Sequence, residues 1–275
     1  MGQNLFIRVG PRFKLSLTLT FAKIGGNLDF SGNTLASVDL SATHVRGDLV
    51  LGPPAPHWSE GARLALRNTE VGVLGDPNHA WSDNTWPEEN NLDLDGFVYT
   101  SIVIFPGTDP NTTKKISVPR FIGWLEKQKR YYPQPYEQVA NVFQKEGLKD
   151  EAADMLYEGK NRELRETTSW HRLFLFCHKY FIGYAYRPYY TVVWVIGFAL
   201  LGMIVLRLSK QGPANGRPYG IAYSIDMLLP IIKLRDKHYE INLKSWARYY
   251  FYFHKIMGYI LASFLIAGLS GLTAK

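Results

Sequence analysis

Over the first hundred residues apolar side chains return at every fifth position, as Phe30, Leu35, Leu40 and Val45 show. A helix repeats every 3.6 residues and a strand alternates, so neither explains the interval. A longer interval overlies it: Ile24-Gly-Gly-Asn-Leu-Asp-Phe returns twenty-one residues later as Val45-Arg-Gly-Asp-Leu-Val-Leu. Repetition on that scale marks stacked units, each burying its apolar face on the next. The pattern predicts a β-solenoid over roughly residues 15 to 105. Each coil turns four corners and points one apolar residue per face inward, with Ser31, Gly32, Ser41 and Ala42 at corners or outside. Leu64-Ala-Leu-Arg-Asn with Val71 and Val73, and Leu92-Asp-Leu-Asp-Gly-Phe, are weaker copies. The alternative is a small β-sandwich with accidental spacing.

Two stretches rich in Pro, Asn and Asp interrupt the coils and predict loops: Pro53 to Ser59, and Asp76 to Pro87. Their Trp58, Trp81 and Trp86 suit either a partner or sugar surface or packing against the coil edge, the second being favoured. Asp93 and Asp95 alternate on one strand and offer a cation site, against the simpler reading of solvated carboxylates.

After a polar linker from Gly107 to Lys115 the apolar period becomes helical. A short amphipathic piece runs from Val118 to Lys129. A helix then starts at the prolines of Pro133-Gln-Pro-Tyr and stops at Gly147, and another runs from about Lys149 to Thr167. Tyr136, Val139, Ala140 and Phe143 face Ala152, Ala153 and Leu156, as in an αα-hairpin. The resulting domains are a solenoid over 1–115, a hairpin connector over 116–169 and a membrane region over 170–275.

The membrane reading rests on Tyr189 to Leu208, which carries no charge until Arg207. About 20 apolar residues are needed to cross a bilayer core, and only a helix satisfies its own backbone there. Trp170-His-Arg-Leu-Phe-Leu-Phe-Cys-His-Lys-Tyr-Phe predicts an aromatic-faced interfacial helix over 170–185. Residues 219–232 are apolar but too short to span, so they predict a re-entrant or interfacial helix. Residues 249–272 predict a second crossing with an aromatic belt from Tyr249 to Phe253. Gly258, Ala262, Ser263, Ala267 and Gly271 recur at four-residue steps, a small face for helix packing on the first crossing or on another copy.

Net charge is +7, with much of the excess after residue 110, near the apolar segments. Attraction to anionic lipid fits this better than nucleic acid, for which no reading motif is present. Arg8, Arg12 and Lys14 interrupt the apolar run at the N-terminus, so no cleavable signal is expected. Phe6 stands where myristoylation needs Ser or Thr. Without a signal the N-terminal body is expected to remain in the cytoplasm. Against this, Lys210, Arg217, Lys233, Arg235, Lys237, Lys244 and Arg248 between the crossings would prefer the inside. The first of these signals is given more weight.

Candidate chemistry is sparse. Asp226, an acid inside an apolar segment, is a functional or pairing residue by default, with His254 and Lys255 as its expected partners. Cys177 is the only cysteine, which excludes an intramolecular disulfide and CxxC sites. Beside His178 it looks like a nucleophile pair, but neighbouring helical residues diverge by about 100°, so a packed thiol is expected.

The coil segment resembles pentapeptide-repeat and bactofilin-like solenoids. Across nearly the whole chain Ile24-Gly-Gly-Asn-Leu-Asp-Phe-Ser-Gly, Pro133-Gln-Pro-Tyr-Glu-Gln-Val-Ala, Gly183-Tyr-Ala-Tyr-Arg-Pro, Tyr223-Ser-Ile-Asp-Met-Leu-Leu-Pro and Ile266-Ala-Gly-Leu-Ser-Gly-Leu resemble a group of bacterial membrane proteins labelled membrane-associated oxidoreductase. That resemblance implies the inner membrane and this architecture. The oxidoreductase label finds no support in the residues: no GxGxxG follows a strand, and the histidines lack metal-ligand spacing, so no catalytic, cofactor or metal residue is assigned. The expected function is a membrane-anchored scaffold or interaction protein, with the lipid bilayer, a further copy and an unknown protein on the solenoid as partners. The alternative is an oligomeric two-crossing channel or transport subunit, with an oxidoreductase third.

Overall fold

The computed structural model describes residues 4–6, 13–52, 54–75, 85–102, 118–187, 189–210, 220–229, 233–243 and 245–273, with side chains up to residue 266. The chain divides into two compact units, Met1–Glu166 and Thr167–Lys275.

The first unit begins as a β-solenoid of about three turns. Its strands are β1 (Leu5–Phe6), β2 (Lys14–Thr18), β3 (Lys23–Ile24), β4 (Leu28–Asp29), β5 (Thr34–Asp39), β6 (His44–Val50), β7 (His57–Ala65), β8 (Glu70–Leu74), β9 (Leu92–Asp93) and β10 (Val98–Ile102). One parallel sheet runs β1-β4-β6-β8-β10 with β3 also on β6, and a second runs β2-β5-β7-β9. The twenty-one-residue repeat is the true register: Ile24 stands beside Val45 and Leu28 beside Leu49. Val45 then meets Val71 and Leu49 meets Leu74, and the row continues to Tyr99 and Ile102. Across the coil, Leu17, Val38, Leu64 and Leu92 form another row, and Leu15, Leu35 and Trp58 a fourth. The coil is therefore two bulged sheets, where the five-residue interval predicted four separate faces. The register shifts between Leu35 and Ser37 and between Val45 and Asp48 bend each strand and keep four inward rows. His57, Trp58 and Ser59, predicted as loop, open β7. Residues 76–84, with Trp81, and the linker 107–115 lie outside the described residues.

One corner repeats in every coil. Phe21, Ala42, Asn68 and Gly96 each take a left-handed conformation, with φ of 59°, 57°, 53° and 74°. That conformation strains three of the four. Hydrogen bonds from Phe21, Ala42 and Asn68 N–H to the carbonyls of Ser41, Arg67 and Asp95 in the next coil hold it in place. Buried Thr43 and Thr69 follow the corner and donate their hydroxyls back to the carbonyls of Leu19 and Leu40 in the preceding coil. Asp93 accepts from Asp95 N at 3.2 Å and pairs with Arg67 at 3.2 Å, so both its contacts are internal to the coil.

The last coil would end in the open edge of β10, a template for unwanted pairing. Three helices close the unit: α1 (Val118–Glu126), α2 (Pro133–Lys145) and α3 (Lys149–Glu166). Gln134 accepts from Gly96 N at 3.1 Å and donates to Phe97 O at 3.0 Å, while Gln138 donates to Tyr99 O at 2.6 Å. The predicted hairpin connector is thus a cap. Phe121, Trp124, Tyr136, Val139, Phe143, Ala152 and Met155 share one core with the coil rows. Trp86 is buried with its ring 5.0 Å from that of Trp124, and Trp58 donates to Thr85 O, so both tryptophans pack. Arg162, buried, donates to Leu125 O at 2.7 Å and Gln128 O at 2.6 Å, satisfying one carbonyl in the last turn of α1 and one just beyond it. Burial alone pulls its guanidinium down, but hydrogen bonds to Tyr136 and Glu166 outweigh this and hold it above its ordinary value.

The second unit is helical: α4 (Trp170–Ile182), α5 (Tyr189–Leu208), α6 (Ile221–Leu228) and α7 (Ala247–Thr273), with single 3-10 turns at Gly183–Ala185 and Asp236–His238. Phe198 and Ala199 of α5 cluster with Leu261 of α7, and Val205 and Leu206 with Ala247 and Phe251, so the two long helices run antiparallel. α6 packs on both. Among the described residues α5 is the one helix long and apolar enough to cross a membrane, and a third of its apolar stretch is buried.

Candidate functional site

The candidate residues converge on α6. Its eight residues expose Ile221 and Ala222 and bury Tyr223, Ser224, Asp226 and Leu228. Ser224 and Asp226 are two residues apart, so about 200° separates them around the helix. They serve different neighbours.

Asp226 faces the segment that follows its own helix. Oδ1 accepts from Leu234 N at 2.5 Å, and Oδ2 accepts from Arg235 N at 3.1 Å and from His238 Nδ1 at 2.5 Å. All three partners donate, the bonding pattern of an acceptor-only carboxylate. Tyr239 closes the arrangement by donating its hydroxyl to the Asp226 carbonyl at 3.0 Å. Burial, then the charge of Asp226, pushes the Tyr239 phenol up and keeps it a donor. Asp226 and His238 are both buried. The partners expected from sequence are corrected: Asp226 binds neither His254 nor Lys255, because it points away from α7.

His254 instead receives the other face of α6. Its Nε2 lies 3.1 Å from Ser224 O and 3.4 Å from Ser224 Oγ, and its Nδ1 lies 3.1 Å from the Tyr250 hydroxyl. A carbonyl only accepts, so Nε2 carries the ring proton and Nδ1 accepts from Tyr250. A protonated Nε2 has no lone pair with which to activate Ser224. The arrangement is a clamp between α6 and α7, not a nucleophile and its base. Gly202 of α5 makes it fit, since a Cβ there would stand 3.0 Å from Ser224 Cβ and 3.1 Å from His254 Cε1.

Lys255 stands elsewhere again. Its ammonium lies 6.0 Å from the centre of the Tyr239 ring, and Lys233 approaches the same ring at 5.5 Å. Of the small residues, Gly258 and Ala262 lie on the buried face of α7. Gly258 meets α6, where a Cβ would run into the Leu228 carbonyl, so its partner is the short helix. Ser263 is exposed and donates to Tyr259 O at 2.8 Å within its own helix. The side chains of Ala267 and Gly271 lie outside the described residues, as do residues 219 and 230–232 of the predicted re-entrant segment.

Cys177 is exposed, where a packed thiol was expected. It lines an apolar pocket of about 160 Å³ between α4 and α7 with Phe174, Phe181, Met257, Ile260 and Phe264. His178 stacks on Phe174 at 5.5 Å. On the first unit, a cleft of about 460 Å³ lies between the β7 and β9 face and the chain after α1. Arg63, Arg67, Lys129 and Arg130 line it, with Asp93 as the single acid. No sequence signal indicated this cleft, because its cations come from segments more than sixty residues apart. His238, Tyr239, Tyr250 and Ser224 were missed for a related reason: none stands at a spacing that marks it.

No family model, curated protein or solved structure matches the chain.

Proposed function

We propose that the protein is a membrane-anchored scaffold of the bacterial inner membrane, with the solenoid unit as its interaction module and the helical unit as its anchor. The observation that carries this reading is the exposure of α5. Val193, Ile196 and Leu208 are 64%, 54% and 69% exposed on a helix of twenty residues. A core helix of a water-soluble protein would hide them, and an apolar surface of that size needs a partner or a bilayer. α7 repeats the pattern, with Tyr252, Phe253, Ile256 and Tyr259 outward over 27 residues, and is the proposed second crossing. Exposed Trp170, Leu173, Phe174 and Phe176 on α4 support a helix lying at the interface.

The scaffold reading is preferred to a channel because the polar groups of α6 are already engaged. A pore lining offers free acceptors to ions, whereas both oxygens of Asp226 and both nitrogens of His254 are bonded within the unit. The basic cleft supports an acidic partner on the solenoid.

The test is fractionation with residues 1–166 beside the full chain. The full chain is expected to stay with membranes through alkaline carbonate and to need detergent, and residues 1–166 to be soluble with a β-rich circular-dichroism spectrum. A full chain that is monomeric in buffer without detergent refutes the anchor.

A further inference from the structure

The segment after α6 is irregular, yet it is held by four hydrogen bonds to Asp226. A buried acid that organises a loop so closely raises the matter of what the loop presents. Lys233, Leu234, Arg235 and Lys237 are all exposed, with Asp236 and Glu240 as the acids among them. Lys233 comes from this loop and Lys255 from α7, and their ammonium groups approach one tyrosine ring at 5.5 Å and 6.0 Å. Neither lysine has an ion-pair partner among the described residues. Two ammonium groups gathered near one exposed ring form a local excess of positive charge that the ring alone offsets weakly. A bound anion offsets it further.

The surroundings select the kind of anion. Lys255 is followed by the outward face of α7, where Ile256, Tyr259 and Ile260 are exposed, and Leu234 is 55% exposed beside Lys233. Trp246 and Tyr249 stand exposed at the start of the same helix, the residue types that settle at headgroup level. A free phosphate would use the lysines and leave the apolar face bare. A phospholipid uses both.

We propose that Lys233, Lys255 and Tyr239 form a headgroup site for an anionic phospholipid, its phosphate held by the two lysines gathered at the Tyr239 ring and an acyl chain along the outer face of α7. The inference rests on the membrane reading above and deepens it. Asp226 is then a positioning residue, holding Lys233 where Lys255 can share its anion.

The experiment uses the full chain purified in a neutral detergent. Phosphatidylglycerol, phosphatidylcholine or inorganic phosphate is added, and thermal unfolding and lipid retention by native mass spectrometry are read. Phosphatidylglycerol is expected to raise the melting temperature and to be retained, with phosphatidylcholine and phosphate inactive at the same concentration. The Lys233→Gln/Lys255→Gln variant is expected to bind phosphatidylglycerol about tenfold more weakly, and Lys179→Gln on α4 to bind as the parent does. Equal response to the two lipids, full stabilisation by phosphate alone, or undiminished binding by the double variant overturns the proposal. If the double variant melts lower without lipid, Lys233→Arg/Lys255→Arg keeps the charges and must retain binding. A parent that needs detergent but ignores headgroup charge removes this site alone; a parent soluble in buffer removes the anchor as well.

Discussion

Replacing Asp226 by Asn changes one atom and should undo the segment after α6. The carboxylate accepts one hydrogen bond at Oδ1 and two at Oδ2. An asparagine that keeps its oxygen at the Oδ2 position retains two acceptances, now without charge, and turns an amide N–H₂ toward the Leu234 N–H. The lost charge-assisted bond is worth roughly 1.5–3 kcal/mol and the stranded donor roughly 1–3 kcal/mol, so the expected cost is about 4 kcal/mol. The opposite rotamer strands two donors and costs more. At about 1.4 kcal/mol per factor of ten, the open form of the loop should gain two to three orders of magnitude in population.

Trypsin reads that population, since Lys233, Arg235 and Lys237 are exposed but held on an ordered backbone. When opening is faster than cleavage, the rate of loop cleavage follows the open fraction. Cleavage in the Asp226→Asn protein should accelerate by at least a hundredfold in detergent, with helical melting lowered and the β signal of the first unit unchanged. His238→Phe should cost less, and the double variant less than the sum, with a coupling of about 1–2 kcal/mol. Cleavage within threefold of the parent, or strict additivity, would refute the clamp.

Gly258→Ala should prevent stable packing of the helical unit, because the new methyl meets the Leu228 carbonyl. Gly197→Ala, with nothing within 4 Å, should be neutral or stabilising by up to about 1 kcal/mol, and detergent melting curves compare the two. The Tyr99 hydroxyl is buried with no hydrogen-bond partner among the described residues, so Tyr99→Phe should raise the stability of residues 1–166 by up to about 1 kcal/mol in urea. Burial also pushes the Tyr99 phenol well above its ordinary value. Above about pH 10 the unfolded chain therefore releases a proton that the folded chain keeps, and stability falls as pH rises, by about 1.4 kcal/mol at one unit past the unfolded value. The Phe variant should lack that share of the alkaline loss. Replacing Gln134 and Gln138 together by Ala should leave the backbone of Gly96 and Phe97 before β10 and of Tyr99 within it unpaired, detected as concentration-dependent aggregation by light scattering; a monomeric variant of parental stability would show that the amides are dispensable.

The solenoid was legible because its long-range contacts are written as repeats. Ile24 and Val45 are neighbours in space and equivalent in sequence, so periodicity states the register directly. The αα-hairpin was legible from its prolines and apolar faces, but its role was not. Gln134 and Gln138 are ordinary polar helix residues until β10 is placed beside them, and Arg162 reads as a solvated charge until α1 ends against it. Asp226 was legible as an anomaly, an acid in an apolar run. Its partner was not, because the sequence places His254 and Lys255 at a similar depth without saying which way residue 226 faces on α6. Helix geometry decides it: once Ser224 meets α7, Asp226 cannot, and the donors must come from the chain that follows.

That division bears on function. Within the helical unit the polar groups complete one another, Asp226 with His238 and His254 with Tyr250 and Ser224, and they lock α6 in place. What stays unneutralised is outside: Lys233 and Lys255 near one ring, and Arg63, Lys129 and Arg130 around the solenoid cleft, where Asp93 is already paired with Arg67. Cations in excess of nearby acids are the basis for the two partners proposed above, a headgroup on one unit and an acidic surface on the other. Raising salt should therefore weaken both associations, while the integrity of each unit, which rests on apolar rows and buried hydrogen bonds, should change little.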